Sequence, residues 1–220
     1  MRRRGLLLAC AAVAAARAPA ARAQGARKDP TALPQGAAPP ATGPAAPIDQ
    51  LDEALLRIMK LGHGEPFAAR AAVLQPVVEQ VFDLPQILQV SVGLSWPSIP
   101  DAQKAKLLDV FTRYTVASWV ANFDSYGGQH FEILSGTRAV GRDQIVRTTL
   151  VSRSGERTRL DYQMRDGGTG WKVVDVLQDG SISRVAVQRS DFRALLMRGG
   201  PNKLIAELEH KVADLQSGLS

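Results

Sequence analysis

The apolar residues of this 220-residue chain change period near Gly128, and that change restricts the fold more than any other feature of the sequence. Upstream they recur three and four residues apart, as on a helix face; downstream they alternate, as in strands with one face buried. "IDQLDEALLRIMKLG" places Ile48, Leu51, Leu55, Ile58 and Met59 on one helical face, and "PFAARAAVLQPVVEQVF" follows a Gly-Glu-Pro break. Asp83-Leu84-Pro85 starts a short helix to Gly93 with the acid at its cap. Ser98-Ile99-Pro100-Asp101 resembles a capping box for a long helix reaching about Tyr126. Leu107, Leu108, Val110, Phe111, Tyr114, Val116, Trp119, Val120 and Phe123 cover more than one face of that helix, so it should be enclosed by neighbours.

Beyond the change, His130 to Ala139, Gln144 to Arg153, Arg157 to Arg165 and Trp171 to Gln178 read as four strands. Gly141, Ser154-Gly155 and Gly167-Gly168 mark the turns between them. Connections this short predict an antiparallel meander. "RVAVQRSDFRALLMR" and "PNKLIAELEHKVADLQ" then form two helices separated by Gly199-Gly200-Pro201. The expected class is α+β, with helices packed on one face of a curved four-stranded antiparallel sheet and residues 48–220 forming a single domain.

One residue resists this pattern. In "RLDYQMRDGGTGWKVVDVLQDG", strict alternation puts Trp171, Val173, Asp175 and Leu177 on one face. A carboxylate among apolar neighbours is costly unless it is paired or kept neutral, so Asp175 is either a catalytic base in a pocket or a structural acid with a partner. Arg189, in the following helix, is the expected structural partner.

The N-terminus reads as an export signal. Arg2-Arg3-Arg4 is a basic region, Leu6 to Ala16 an apolar region too short to span a bilayer, and Ala21-Arg22-Ala23 a small-x-small cleavage site, giving a signal peptide over residues 1–23. A lipoprotein signal ending at Cys10 is the alternative. Residues 24–47, dominated by Ala, Pro and Gly without apolar period, are expected to be a disordered leader. Removing residues 1–23, with five arginines and no acid, takes the formal charge from +6 to +1, and no basic run beyond Gly25 suggests a nucleic-acid partner. Cys10 is the only cysteine, so the exported chain would hold neither disulfide nor thiolate. No later apolar run is long enough to cross a membrane, so the exported protein is expected to be soluble.

Motifs for metal, nucleotide or nucleophilic chemistry are missing. His63, His130 and His210 stand in separate elements with no metal-ligand spacing, and there is no GxSxG, P-loop or GxGxxG. No metal or cofactor is expected. Large apolar side chains remain: Trp96, Trp119 and Trp171, with Tyr114, Tyr126, Tyr162 and Phe131, fall toward the helix–sheet layer. They suit either an ordinary core or an apolar ligand cavity between helices and sheet.

Phe82-Asp83, Gly93, Trp96, Tyr126-Gly127-Gly128-Gln129, Asp161-Tyr162, Gly170 to Asp175, Arg189 to Phe192 and Leu204 to Leu208, in this order, resemble the MlaC family of periplasmic phospholipid-binding, or toluene-tolerance, proteins. Ser95-Trp96-Pro97-Ser98 departs from the family's usual tryptophan followed by a basic residue, and with the Pro-rich leader is closer to the hopanoid-associated HpnM branch. The resemblance implies a nuclear-transport-factor-like fold with acyl chains held between helices and sheet. It also implies a monomeric periplasmic shuttle carrying phospholipid or a hopanoid-type lipid. Its partners would be an inner-membrane transporter of ABC/MCE or RND type and an outer-membrane lipoprotein complex. Such a carrier needs no catalytic group. The residues then expected to touch lipid are Trp96, Phe111, Thr115, Trp119, Tyr126, Phe131, Tyr162, Trp171 and Val173. The competing reading is an exported enzyme with an apolar pocket of ketosteroid-isomerase type.

Overall fold

The computed structural model describes residues 43–218, so the expected signal peptide and nearly all of the leader lie outside the described residues. The first helix, α1 (Ala46–Leu61), begins two residues before Ile48, with Pro47 in its first turn and a 3-10 turn, Gly43–Ala45, before it. It buries Ile48, Leu51, Leu55, Ile58 and Met59, as the spacing requires. Helix α2 (Phe67–Val81) follows, then α3 (Leu84–Val92), whose cap Asp83 accepts a bond from the Gln86 N–H at 3.1 Å. Helix α4 (Asp101–Asn122) starts without the expected capping box. Ser98 turns its hydroxyl back to the Ser95 carbonyl at 2.8 Å, and Pro100 holds the cap position. The helix also stops at Asn122 rather than near Tyr126. It packs against α1, α2, α3 and α5, which accounts for apolar residues on several of its faces.

The sheet has six strands rather than four. Strands β1 (His130–Ile133) and β2 (Arg138–Val140) are two pieces of the one strand expected there, and both pair antiparallel with β3 (Asp143–Val151). Strands β4 (Arg157–Asp166) and β5 (Trp171–Gln178) continue the meander, and the two-residue β6 (Ile182–Ser183) returns along β5. Helix α5 (Arg184–Ser217) closes the described chain and is broken at Gly199 and Gly200, where Gly200 has φ 63°, so the two expected helices meet at that kink. The α2–α3 junction adds one parallel bridge to β5, with the Asp83 N–H donating to the Val173 carbonyl at 2.9 Å.

Strict alternation fails in β5 because the strand contains a bulge. Gln163 faces Asp175 across the ladder while its neighbour Met164 faces Val173, so Val174 is the extra residue. An inserted residue exchanges the two faces of everything after it. Val173 and Val176 therefore both face the core, together with Phe131, Ile133, Val146, Leu150, Leu160, Tyr162 and Met164. Asp175 passes to the outer face, which carries acids and arginines: Asp143 takes both Nε and Nη2 of Arg165 at 2.7 Å, and Asp161 takes Nε and Nη2 of Arg159 at 2.9 and 2.6 Å.

Candidate functional site

The helix–sheet layer is lined by a row of rings that the sequence separates widely. Trp119 on α4 lies 5.8 Å from Phe82 and stacks on Phe123 at 5.4 Å, and Phe123 reaches Phe131 of β1 at 6.1 Å. Each spacing is that of an attractive aromatic pair. Of the residues expected to touch ligand, Trp119 and Phe131 belong to this row. Tyr162 and Val173 lie fully buried on the sheet face opposite the helices, and Trp171 is partly buried against the same core.

The other expected residues are placed differently. Phe111 is buried edge-on against Phe192 of α5, with centroids 6.2 Å apart, and Thr115 returns its hydroxyl to the Phe111 carbonyl at 2.8 Å. Trp96 is partly buried, with Lys104 Nζ 5.6 Å from its ring centroid. Tyr126 is 44% exposed and has Lys60 Nζ 5.3 Å from its ring, so it lies at the surface of this layer and not within it.

Asp175 and Arg189 do not pair. The Asp175 carboxylate accepts from the Val176 N–H at 2.8 Å, the Val185 N–H at 3.1 Å and the Ser183 hydroxyl. It therefore caps the N-terminus of α5 from the neighbouring strand, where open N–H groups attract an acid. Arg189 lies against Gly93, close enough that a Cβ there would come within 3.2 Å of its Nε. The bulge, which alternation cannot reveal, is the reason: it turns Asp175 toward the chain entering α5.

The acid that does face the interior is Asp52. It sits on α1 between Ile48 and Leu55, only 5% exposed, and among the described residues neither carboxyl oxygen has a hydrogen-bond partner. Burial, reinforced by Asp49, pushes its pKa up to about 8, so the group is largely an uncharged acid at neutral pH. The Tyr162 hydroxyl on β4 is also buried without a partner, and its pKa is raised well above the phenol range by burial and by Asp52. The sequence signal was available: Asp52 follows Ile48 by four and precedes Leu55 by three, so it interrupts an apolar face as Asp175 seemed to. Arg70 on α2, also buried, donates to the Val120 carbonyl at 3.4 Å. His63, His130 and His210 are at the surface beside Asp124, Glu132 and Asp214. Among the described residues no three His, Cys, Asp or Glu side chains are grouped to hold a metal ion.

These features define an α+β domain with an apolar layer between its helices and a curved antiparallel sheet. Residues 49–210 match the family described as MlaC protein, and the chain belongs to that family. Among solved structures, a phospholipid-binding protein from Ralstonia solanacearum, determined in complex with a phospholipid, matches with a TM-score of 0.69 and 22% identity, covering 79% of this chain and 99% of that one. At that identity the likeness establishes the fold. None of the curated proteins matches the chain.

Proposed function

We propose that this protein is a periplasmic lipid carrier whose helix–sheet layer opens to accept acyl chains. The observation that carries this reading is the ring row Phe82–Trp119–Phe123–Phe131, placed above an apolar sheet face in a member of the MlaC family. The phospholipid held by the similar Ralstonia protein supports it. Each methylene withdrawn from water contributes about 0.8 kcal/mol, so two acyl chains supply ample affinity without a catalytic group. The carrier would exchange cargo between an inner-membrane transporter of ABC/MCE or RND type and an outer-membrane lipoprotein complex. Ser95-Trp96-Pro97-Ser98 and the Pro-rich leader are closer to the hopanoid-associated branch of the family, so the cargo proposed is phospholipid or a hopanoid-type lipid.

The enzyme reading draws on Asp52 and Tyr162, since a neutral aspartic acid beside a tyrosine is the oxyanion site of ketosteroid isomerase. It needs an ionised aspartate base as well, and the buried acids of the sheet, Asp143 and Asp161, are bonded to Arg165 and Arg159 on the outer face. Native mass spectrometry of protein purified from its own cells tests both readings. Co-purified phospholipid or hopanoid is expected; a lipid-free protein that turns over an apolar ketone would reverse the assignment.

A further inference from the structure

Five buried side-chain atoms have no hydrogen-bond partner among the described residues: both carboxyl oxygens of Asp52, the hydroxyl of Tyr162, and the Nε of Arg70 and of Arg147; Asp52 and Tyr162 are the two that face the helix–sheet layer. Burying such groups dry is costly, and a bound ligand is one source of the missing bonds. Their placement is specific. Asp52 points inward from α1, and Tyr162 stands on the inner sheet face between its ladder neighbours Val146 and Val176.

Resting on the lipid-carrier reading, we propose that Asp52 and Tyr162 form a two-donor site for an ester carbonyl oxygen of the bound lipid. A protonated carboxyl and a phenol each offer one O–H, and an ester carbonyl offers two lone pairs. The elevated pKa of Asp52 keeps its proton in place at neutral pH. A phosphate or carboxylate could also accept two bonds, but it would bring a negative charge beside Asp49 and into the burial that already holds Asp52 neutral. An uncharged acceptor fits these surroundings and engages both O–H groups, which a bare alkyl chain would leave unpartnered. The site would thus register the glycerol end of an acyl lipid against the depth of the pocket, which dispersion along a chain cannot do.

Ester and ether lipids of equal chain length differ only at the two carbonyl groups, which the ether lipid lacks. Protein stripped of lipid is titrated with vesicles of diacyl phosphatidylcholine and, separately, of dialkyl-ether phosphatidylcholine of the same chain length. The ester lipid is expected to bind about tenfold more tightly, the effect of one well-made buried hydrogen-bond site. Asp52→Asn, which keeps an N–H donor, should preserve most of that preference, whereas Asp52→Leu and Tyr162→Phe should abolish it. Equal affinity of the unmodified protein for both lipids would overturn the site while leaving the carrier reading intact, and the pair would then be a hydrated element of the core. Binding of neither lipid would overturn both. The comparison in the unmodified protein decides the matter even if a variant fails to fold.

Discussion

Asp52 sets a pH dependence that can be measured without any ligand. An unfolded aspartic acid titrates near pH 3.9, and burial raises the folded value to about 8. Between those values the unfolded chain releases a proton that the folded chain keeps, so stability falls as pH rises through the window, by up to about 1.4 kcal/mol per unit, and levels off above it. Asp143 acts with the opposite sign. Its bonds to Arg165 hold its pKa below the usual carboxylate value, so its contribution is present above about pH 4 and disappears on acidification. The two windows do not overlap. Urea melts of lipid-free protein from pH 5 to 8 should show declining stability that flattens in Asp52→Asn; parallel slopes in the two proteins would mean that Asp52 is solvated in the folded state.

Among the elements, β5 and α5 depend on each other through the bulge at Val174. The extra residue carries Asp175 to the outer face, where it holds the first turn of α5 jointly with Ser183, whose own hydroxyl accepts from the Ala186 N–H at 2.9 Å. Replacing Asp175 with alanine should cost about 1–2 kcal/mol, the usual loss of a helix cap. Because no bond joins Asp175 to Arg189, the losses from Asp175→Ala and Arg189→Leu should add in the double variant to within about 0.5 kcal/mol. Thermal and urea melts of the three proteins provide the test. A large coupling would show that the arginine supports the carboxylate after all. The same bulge is why one strand of this sheet could not be read by alternation, while β3 and β4, which lack one along their own pairing, keep their faces throughout.

In the molecule as a whole, the described chain starts on the sheet before it enters its first helix. The turn Gly43–Ala45 touches β3, β4 and β5, and Ala45 packs on the core. A chain beginning at Gly43 should therefore melt with the full-length protein and retain its lipid content. One beginning at Ile48 should be less stable by about 1–2 kcal/mol, having lost this packing and the proline of the first helical turn. Calorimetry and lipid extraction of both truncated chains would decide, and equal melting of the two would make the turn dispensable.

The order of helices and strands, the antiparallel meander and most of the core were legible in the sequence because they depend on local period and turn chemistry. Ile48, Leu51, Leu55 and Ile58 could be read this way, as could the Asp83 cap and the Gly199-Gly200 break. So could the buried faces of Tyr162 and Val173. Tertiary structure decided what depends on register and distance. It joined Phe82, Trp119, Phe123 and Phe131 into one row, divided the first strand in two, and left Tyr126 at the surface. It also exchanged the roles of two acids. Alternation puts Asp175 on the buried face and one inserted residue reverses it, whereas Asp52, which interrupts the apolar face of α1, is enclosed by the fold and kept largely uncharged at neutral pH.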